Sequence, residues 1–124
     1  MGKKNKLICK TCGKIYDTKI GCGISHGRLE NVIPIFNDKD RAEIEKLWKA
    51  SLFPVFQFEY KSGYCRFCNQ IVSIPVLNFM REEKEFFGDC EVCGHSLKED
   101  SVTEVLCPNC HNSQWDVIVD GRWD

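Results

Sequence analysis

Across residues 37–54, NDKDRAEIEKLWKASLFP, apolar positions recur at helical spacing. Ile44, Leu47, Trp48 and then Ser51 or Leu52 fall at i, i+3, i+4 and i+7/i+8, which is one face of a helix. The pattern predicts a helix over about residues 39–52, capped by Asp38 or Asp40 and stopped by Pro54. Its apolar stripe reads as core packing. The period then changes to two. VFQFEY sets Phe56, Phe58 and Tyr60 on one face and predicts a strand. QIVSIPVLNF predicts another, with Pro75 arguing for an edge position or a bulge because proline has no N–H for a central ladder. SVTEVL and SQWDVIVD read as two further strands, the second grouping Trp115, Val117 and Val119.

Strands this short bury little, so something at their tips must hold them. At those tips stand four Cys-x-x-Cys turns: CKTC from Cys9 to Cys12, CRFC from Cys65 to Cys68, CEVC from Cys90 to Cys93 and CPNC from Cys107 to Cys110. Two such turns facing each other bring four sulfurs to one point and make a tetrahedral S4 site. The residue after the second cysteine of such a turn often needs a positive φ. Here it is Gly13, Asn69, Gly94 or His111, all residue types that adopt it. Eight ligands imply two ions, zinc first and iron as the alternative.

Composition favours a metal over disulfides. The 124 residues suit one domain or two small ones, and small lobes need staples. The chain start lacks the apolar run of a secretory signal. The longest uncharged stretch is too short to span a bilayer. A cytoplasmic protein without membrane contact is the expectation, and there paired cysteines are metal ligands more often than bridges. Nine cysteines also cannot all pair.

How the turns pair is left open by spacing. Closing the thirteen-residue connection between Cys93 and Cys107 rather than the 52-residue one between Cys12 and Cys65 is favoured by only about 1 kcal/mol. The hairpins flanking each turn favour neighbours: Cys9 and Cys12 with Cys65 and Cys68, and Cys90 and Cys93 with Cys107 and Cys110. A nested arrangement is the alternative. Neighbour pairing gives an N-terminal ribbon with a helical insert over residues 1–80 and a C-terminal ribbon over 81–124.

Charge bears on partners. Residues 1–28 hold seven Lys/Arg against one Asp, whereas residues 62–124 hold five against eleven Asp/Glu. The basic front, with Lys10, Lys14, Lys19 and Arg28, could meet an anion, and the back would repel one. Eight thiolates around two divalent ions would also make the chain four charges more negative than its formal −1. Trp115 and Trp123 sit beside Asp116, Asp120 and Asp124, a poor setting for base stacking, and read instead, like Trp48, as covers for small cores. Cys22, in KIGCGISHG near His26, reads as a small residue in a glycine turn rather than a reactive thiol. His95 and His111 read as turn residues beside complete S4 sites.

This layout resembles small bacterial zinc-ribbon proteins with rubredoxin-like four-cysteine knuckles. The motifs that carry the likeness are CKTCG, the GCG at Gly21–Gly23, the helix, CRFC, CEVCG, CPNC and the terminal WD. The resemblance implies zinc at the eight paired cysteines and a variable middle residue at Cys22, and it implies no activity. Asn69 and His111 depart from it where glycine is usual. The expected protein is a small α+β fold, zinc-ribbon-type β-hairpins around two four-cysteine metal sites with one helical insert. Its expected role is that of a non-catalytic interaction module with a protein partner. Nucleic-acid binding through the basic N-terminal region and rubredoxin-like electron transfer are the alternatives. Closed S4 sites leave no open position for catalysis, and no hydrolase or phosphate-binding motif is present.

Overall fold

The computed structural model describes residues 2–22, 28–50, 52, 55–103 and 105–123. Two three-stranded antiparallel sheets carry the fold. The first contains β1 (Gly2–Cys9), β2 (Ile15–Ile20) and β6 (Trp115–Trp123), in the order β2-β1-β6. The second runs β3 (Phe56–Cys65), β4 (Gln70–Phe79) and β5 (Lys84–Phe87) in sequence order. Among the described residues three helices accompany them: α1 (Leu29–Val32), continued by a 3-10 turn at Ile33–Ile35, α2 (Asp38–Lys49) and α3 (Glu99–Thr103). The architecture is a small α+β fold of zinc-ribbon type.

The helix α2 forms where its periodicity predicts, and it is shorter. Its cap is Asn37 rather than Asp38 or Asp40. The Asn37 side chain accepts a hydrogen bond from the Asp40 N–H at 2.9 Å, and the two aspartates occupy the first turn, where their charge suits the helix dipole. Ile44 is fully buried, with Leu47 and Trp48 packed at its flanks. Leu52 is 93% exposed and adds nothing to the stripe. Ser51 and Pro54 lie outside the described residues.

β4 explains the near-continuous apolar run in its sequence. Leu77 and Phe79 face α1 and α2, joining Leu29, Val32, Ile33, Phe36, Ile44, Phe58 and Phe86 in one cluster. Val72, Ile74 and Val76 face the other way, toward Cys65, Cys90 and Leu97. A strand covered on both sides has no polar face to show. Pro75 therefore lies in a central strand, contrary to the edge or bulge that proline predicts. It is tolerated because it sits just past the end of the β4–β5 ladder, whose last pair is Val76 with Phe87. Its carbonyl still accepts from the Gly88 N–H at 2.8 Å. A Cβ on Gly88 would stand 2.2 Å from the proline Cγ, so the glycine admits this close approach.

Two other strand expectations change. SVTEVL contributes not to a strand but to α3, which begins at Glu99; Val102 packs on the cluster around Ile74. The helix rests on β3 at Gly63, where a Cβ would come within 2.9 Å of the Ser101 carbonyl oxygen and 2.1 Å of Ile74 Cδ1. Gly63→Ala is therefore expected to cost about 1–3 kcal/mol through overpacking; urea denaturation of the two chains measures it, and an unchanged midpoint refutes this packing. SQWDVIVD does form β6. As an edge strand it leaves Val117 and Val119 more than half exposed. Trp115 is anchored, its indole N–H donating to the Val105 carbonyl at 2.9 Å and its ring edge-on to Tyr16. The side chain of Trp123 lies outside the described residues.

Both sheets take strands from either side of residue 80, since β6 pairs with β1 along its length and β5 pairs with β4. The sheets therefore do not divide as 1–80 and 81–124. They meet where β2 approaches β3 and β4. Gly21 and Tyr60 exchange backbone hydrogen bonds of 2.9 and 2.6 Å, the Thr18 and Ser62 hydroxyls lie 2.7 Å apart, and Ser73 Oγ accepts from the Lys19 N–H at 3.0 Å.

Candidate metal centres

Each Cys-x-x-Cys segment closes a local loop. In the first, Cys9 N–H donates to the Lys14 carbonyl and Gly13 N–H to the Cys9 carbonyl. The third repeats this with Cys90, His95 and Gly94, and the fourth with Cys107, Asn112 and His111, at 2.8–2.9 Å throughout. The second forms the tip of the β3–β4 hairpin, where Cys65 pairs with Gln70. The residue after each second cysteine has the positive φ that this loop requires: 76° at Gly13, 54° at Asn69, 77° at Gly94 and 61° at His111.

The sulfurs converge in two groups. One holds Cys9, Cys12, Cys107 and Cys110; the other holds Cys65, Cys68, Cys90 and Cys93, and within each all four lie within 4.8 Å of one another. This is the nested arrangement, and it overturns the pairing of neighbours. The reason is topological. β6, leaving the fourth turn, pairs with β1 entering the first, Cys9 opposite Trp115, so the two turns emerge at the same end of one sheet. Sequence distance misleads because the cost of a long loop is met by the second sheet folding inside it.

The distances fit an ion. Cys9 and Cys110 sulfurs are 3.5 Å apart, Cys12 and Cys107 3.6 Å, Cys65 and Cys93 3.5 Å, and Cys68 and Cys90 3.7 Å. A disulfide needs about 2.04 Å. A tetrahedron with metal–sulfur bonds of about 2.3 Å has edges of about 3.8 Å, which these contacts approach. All eight thiols are free of disulfides. Two four-cysteine groups that could hold metal ions are therefore present.

Surrounding groups favour the charged form of some of these sulfurs and disfavour it in others. Burial works against ionising Cys107, but the Tyr16 hydroxyl at 3.5 Å and the N–H groups of Cys110 and Asn109 outweigh it and hold the thiol down at about 6. At Cys65 burial is likewise outweighed, by the Cys68 and Phe67 N–H groups and the Cys93 thiol, leaving it at about 7. Burial and the neighbouring Cys65, Cys90 and Cys93 sulfurs push Cys68 up to about 12. A divalent ion would resolve that conflict by neutralising the crowded sulfurs. The outer contacts include Asn112 Nδ2 on Cys110 at 3.6 Å and His95 Nδ1 on Cys93 at 3.3 Å.

His95 thus lies on a sulfur, its ring stacked on Phe67 at 4.2 Å, as a turn residue beside a complete site. Cys22 belongs to neither group; it is half-buried against the cluster around Phe36 and behaves as a small apolar side chain. His26 lies outside the described residues. Tyr16 and its contact with Cys107 were not foreseeable, because 91 residues separate the two and only the β1–β6 pairing joins them.

Two cations of the basic front meet counter-charge and a third meets an aromatic ring. Lys10 meets Asp116 at 3.5 Å, Arg28 meets Glu30 at 3.6 Å, and the Lys19 ammonium lies 4.2 Å from the centre of the Tyr60 ring. Lys14 is exposed. Among the described residues no helix is long and apolar enough to cross a membrane. Compared with known proteins, the chain matches no family model, no curated protein and no solved structure.

Proposed function

We propose that this chain is a structural module that binds two zinc ions through Cys9, Cys12, Cys107 and Cys110 at one site and Cys65, Cys68, Cys90 and Cys93 at the other, and that it works by contact with a protein partner rather than by catalysis. The convergence of four sulfurs in each group carries this reading. Four thiolates complete a tetrahedral zinc shell and leave no position for water or substrate, which is the mark of structural sites. The mixed charge of the β1–β2–β6 sheet, with Asp116 set against Lys10, suits a protein surface better than a polyanion.

Native mass spectrometry with elemental analysis of the purified chain tests the reading. The expected result is two zinc ions per chain and a colourless solution. A red protein with stoichiometric iron would move the assignment to electron transfer, since S4 sites accept iron. A well-folded chain with no bound ion would overturn it.

A further inference from the structure

Asn69 stands where a glycine is usual in a Cys-x-x-Cys loop, in a backbone conformation with φ of 54° that costs a side chain something to adopt. Its side chain spans the two metal groups. Nδ2 donates to the carbonyl of Pro108 at 3.1 Å, and Oδ1 accepts from the Tyr64 hydroxyl. Asn69 directly follows the ligand Cys68 of one group, and Pro108 directly follows the ligand Cys107 of the other. Tyr64, buried beside Cys65, fixes the amide so that its N–H points across the gap.

From this geometry we infer that Asn69 couples the two metal sites, so that an ion at one raises the affinity of the other for its own. The inference rests on the proposed metal binding. An ion at Cys65, Cys68, Cys90 and Cys93 fixes the loop containing residue 69 and presents the amide to Pro108. The Pro108 carbonyl, once held, sets the fourth loop and with it Cys107. By linkage the effect runs equally in the other direction. One neutral hydrogen bond supports a coupling of about 3- to 10-fold. Asn rather than Gly at this position then has a reason: glycine would make the turn more easily but could not reach the neighbouring loop.

The test is a titration of the metal-free chain with Zn²⁺ under native mass spectrometry, with Co²⁺ absorption confirming thiolate ligation. The stepwise constants for the first and second ion are compared between the natural chain, Asn69→Gly and Asn69→Asp. Asn69→Gly keeps the positive φ and deletes the link. Asn69→Asp keeps the acceptor that Tyr64 uses, removes the donor and adds a negative charge, whose own effect on each site the intrinsic constants below subtract. The ratio of second to first constant is expected to fall about 3- to 10-fold in both variants, with two ions still bound at saturation. Intrinsic constants, taken from chains in which the other site's four cysteines are serine, separate a change in coupling from a change at either site alone. A ratio that is unchanged, or that changes only as the intrinsic constants do, overturns the coupling. Should Asn69→Gly fail to take up two ions, Asn69→Asp decides alone. A natural chain that binds no Zn²⁺ fails the proposed function itself, whereas two ions with an unaltered ratio fail only this inference.

Discussion

Removing both ions with a chelator is expected to abolish most of the β-sheet circular dichroism, with the β2-β1-β6 sheet lost first. Apart from the hydrogen bonds of β2 and Gly21 to β3 and β4, that sheet has little to hold it. Its strand β6 exposes Val117, Ile118 and Val119, and its principal buried apolar side chains are Leu7 and Cys9. The 94 residues between Cys12 and Cys107 must be closed for β1 to meet β6 at all, and an ion held by the four sulfurs would perform that closure. A structural zinc site supplies about 10–16 kcal/mol at neutral pH, against a typical domain stability of about 5–15 kcal/mol. The second sheet has more of its own support: α1, α2 and the 3-10 turn pack Phe36, Ile44 and Ile33 onto Phe58, Leu77 and Phe79. Helical signal at α2 should outlast the loss of the first sheet as chelator is raised. A spectrum unchanged after elemental analysis shows complete metal removal would disprove the dependence.

What could be read from the sequence divides along physical lines. The helix was legible because Ile44, Leu47 and Trp48 repeat with its period, and because that stripe lies against a core. Its cap lies one residue before Asp38 and three before Asp40, since Asn37, Asp38 and Asp40 are all competent acceptors and only the observed bond to the Asp40 N–H separates them. Gln70–Phe79 was legible as a strand, yet its central place was not. Pro75 argues for an edge unless the neighbouring strand is known to end beside it. SVTEVL has strand-forming valines, but its Ser101–Thr103 segment ends a small helix seated against Gly63, a tertiary preference that overrides local propensity. The eight cysteines and the four positive-φ followers were legible because the knuckle is local, closed by hydrogen bonds between residues at most five positions apart. Their pairing was not, because it depends on which strands adjoin, and β6 joins β1 from the far end of the chain.

Replacing Cys9, Cys12, Cys107 and Cys110 together by serine is expected to lower the metal content from two ions to one, not to none. The remaining ion should stay with Cys65, Cys68, Cys90 and Cys93, whose turns belong to or adjoin the β3-β4-β5 sheet and do not require the first sheet for their geometry. If neighbouring turns paired instead, this variant would strip two ligands from each site and leave two half-shells. A two-thiolate site binds far more weakly, because the ion must keep water in the vacant positions. The complementary variant, with Cys90, Cys93, Cys107 and Cys110 replaced, inverts the outcome: nested sites each lose half their ligands and retain no tight ion, whereas neighbour-paired sites would keep one. Zinc content by mass spectrometry of the two variants therefore reads the pairing directly, without relying on either fold being fully preserved. One ion in the first variant and none in the second supports the nested arrangement; the reverse pattern would rule it out, and with it the placement of β6 beside β1.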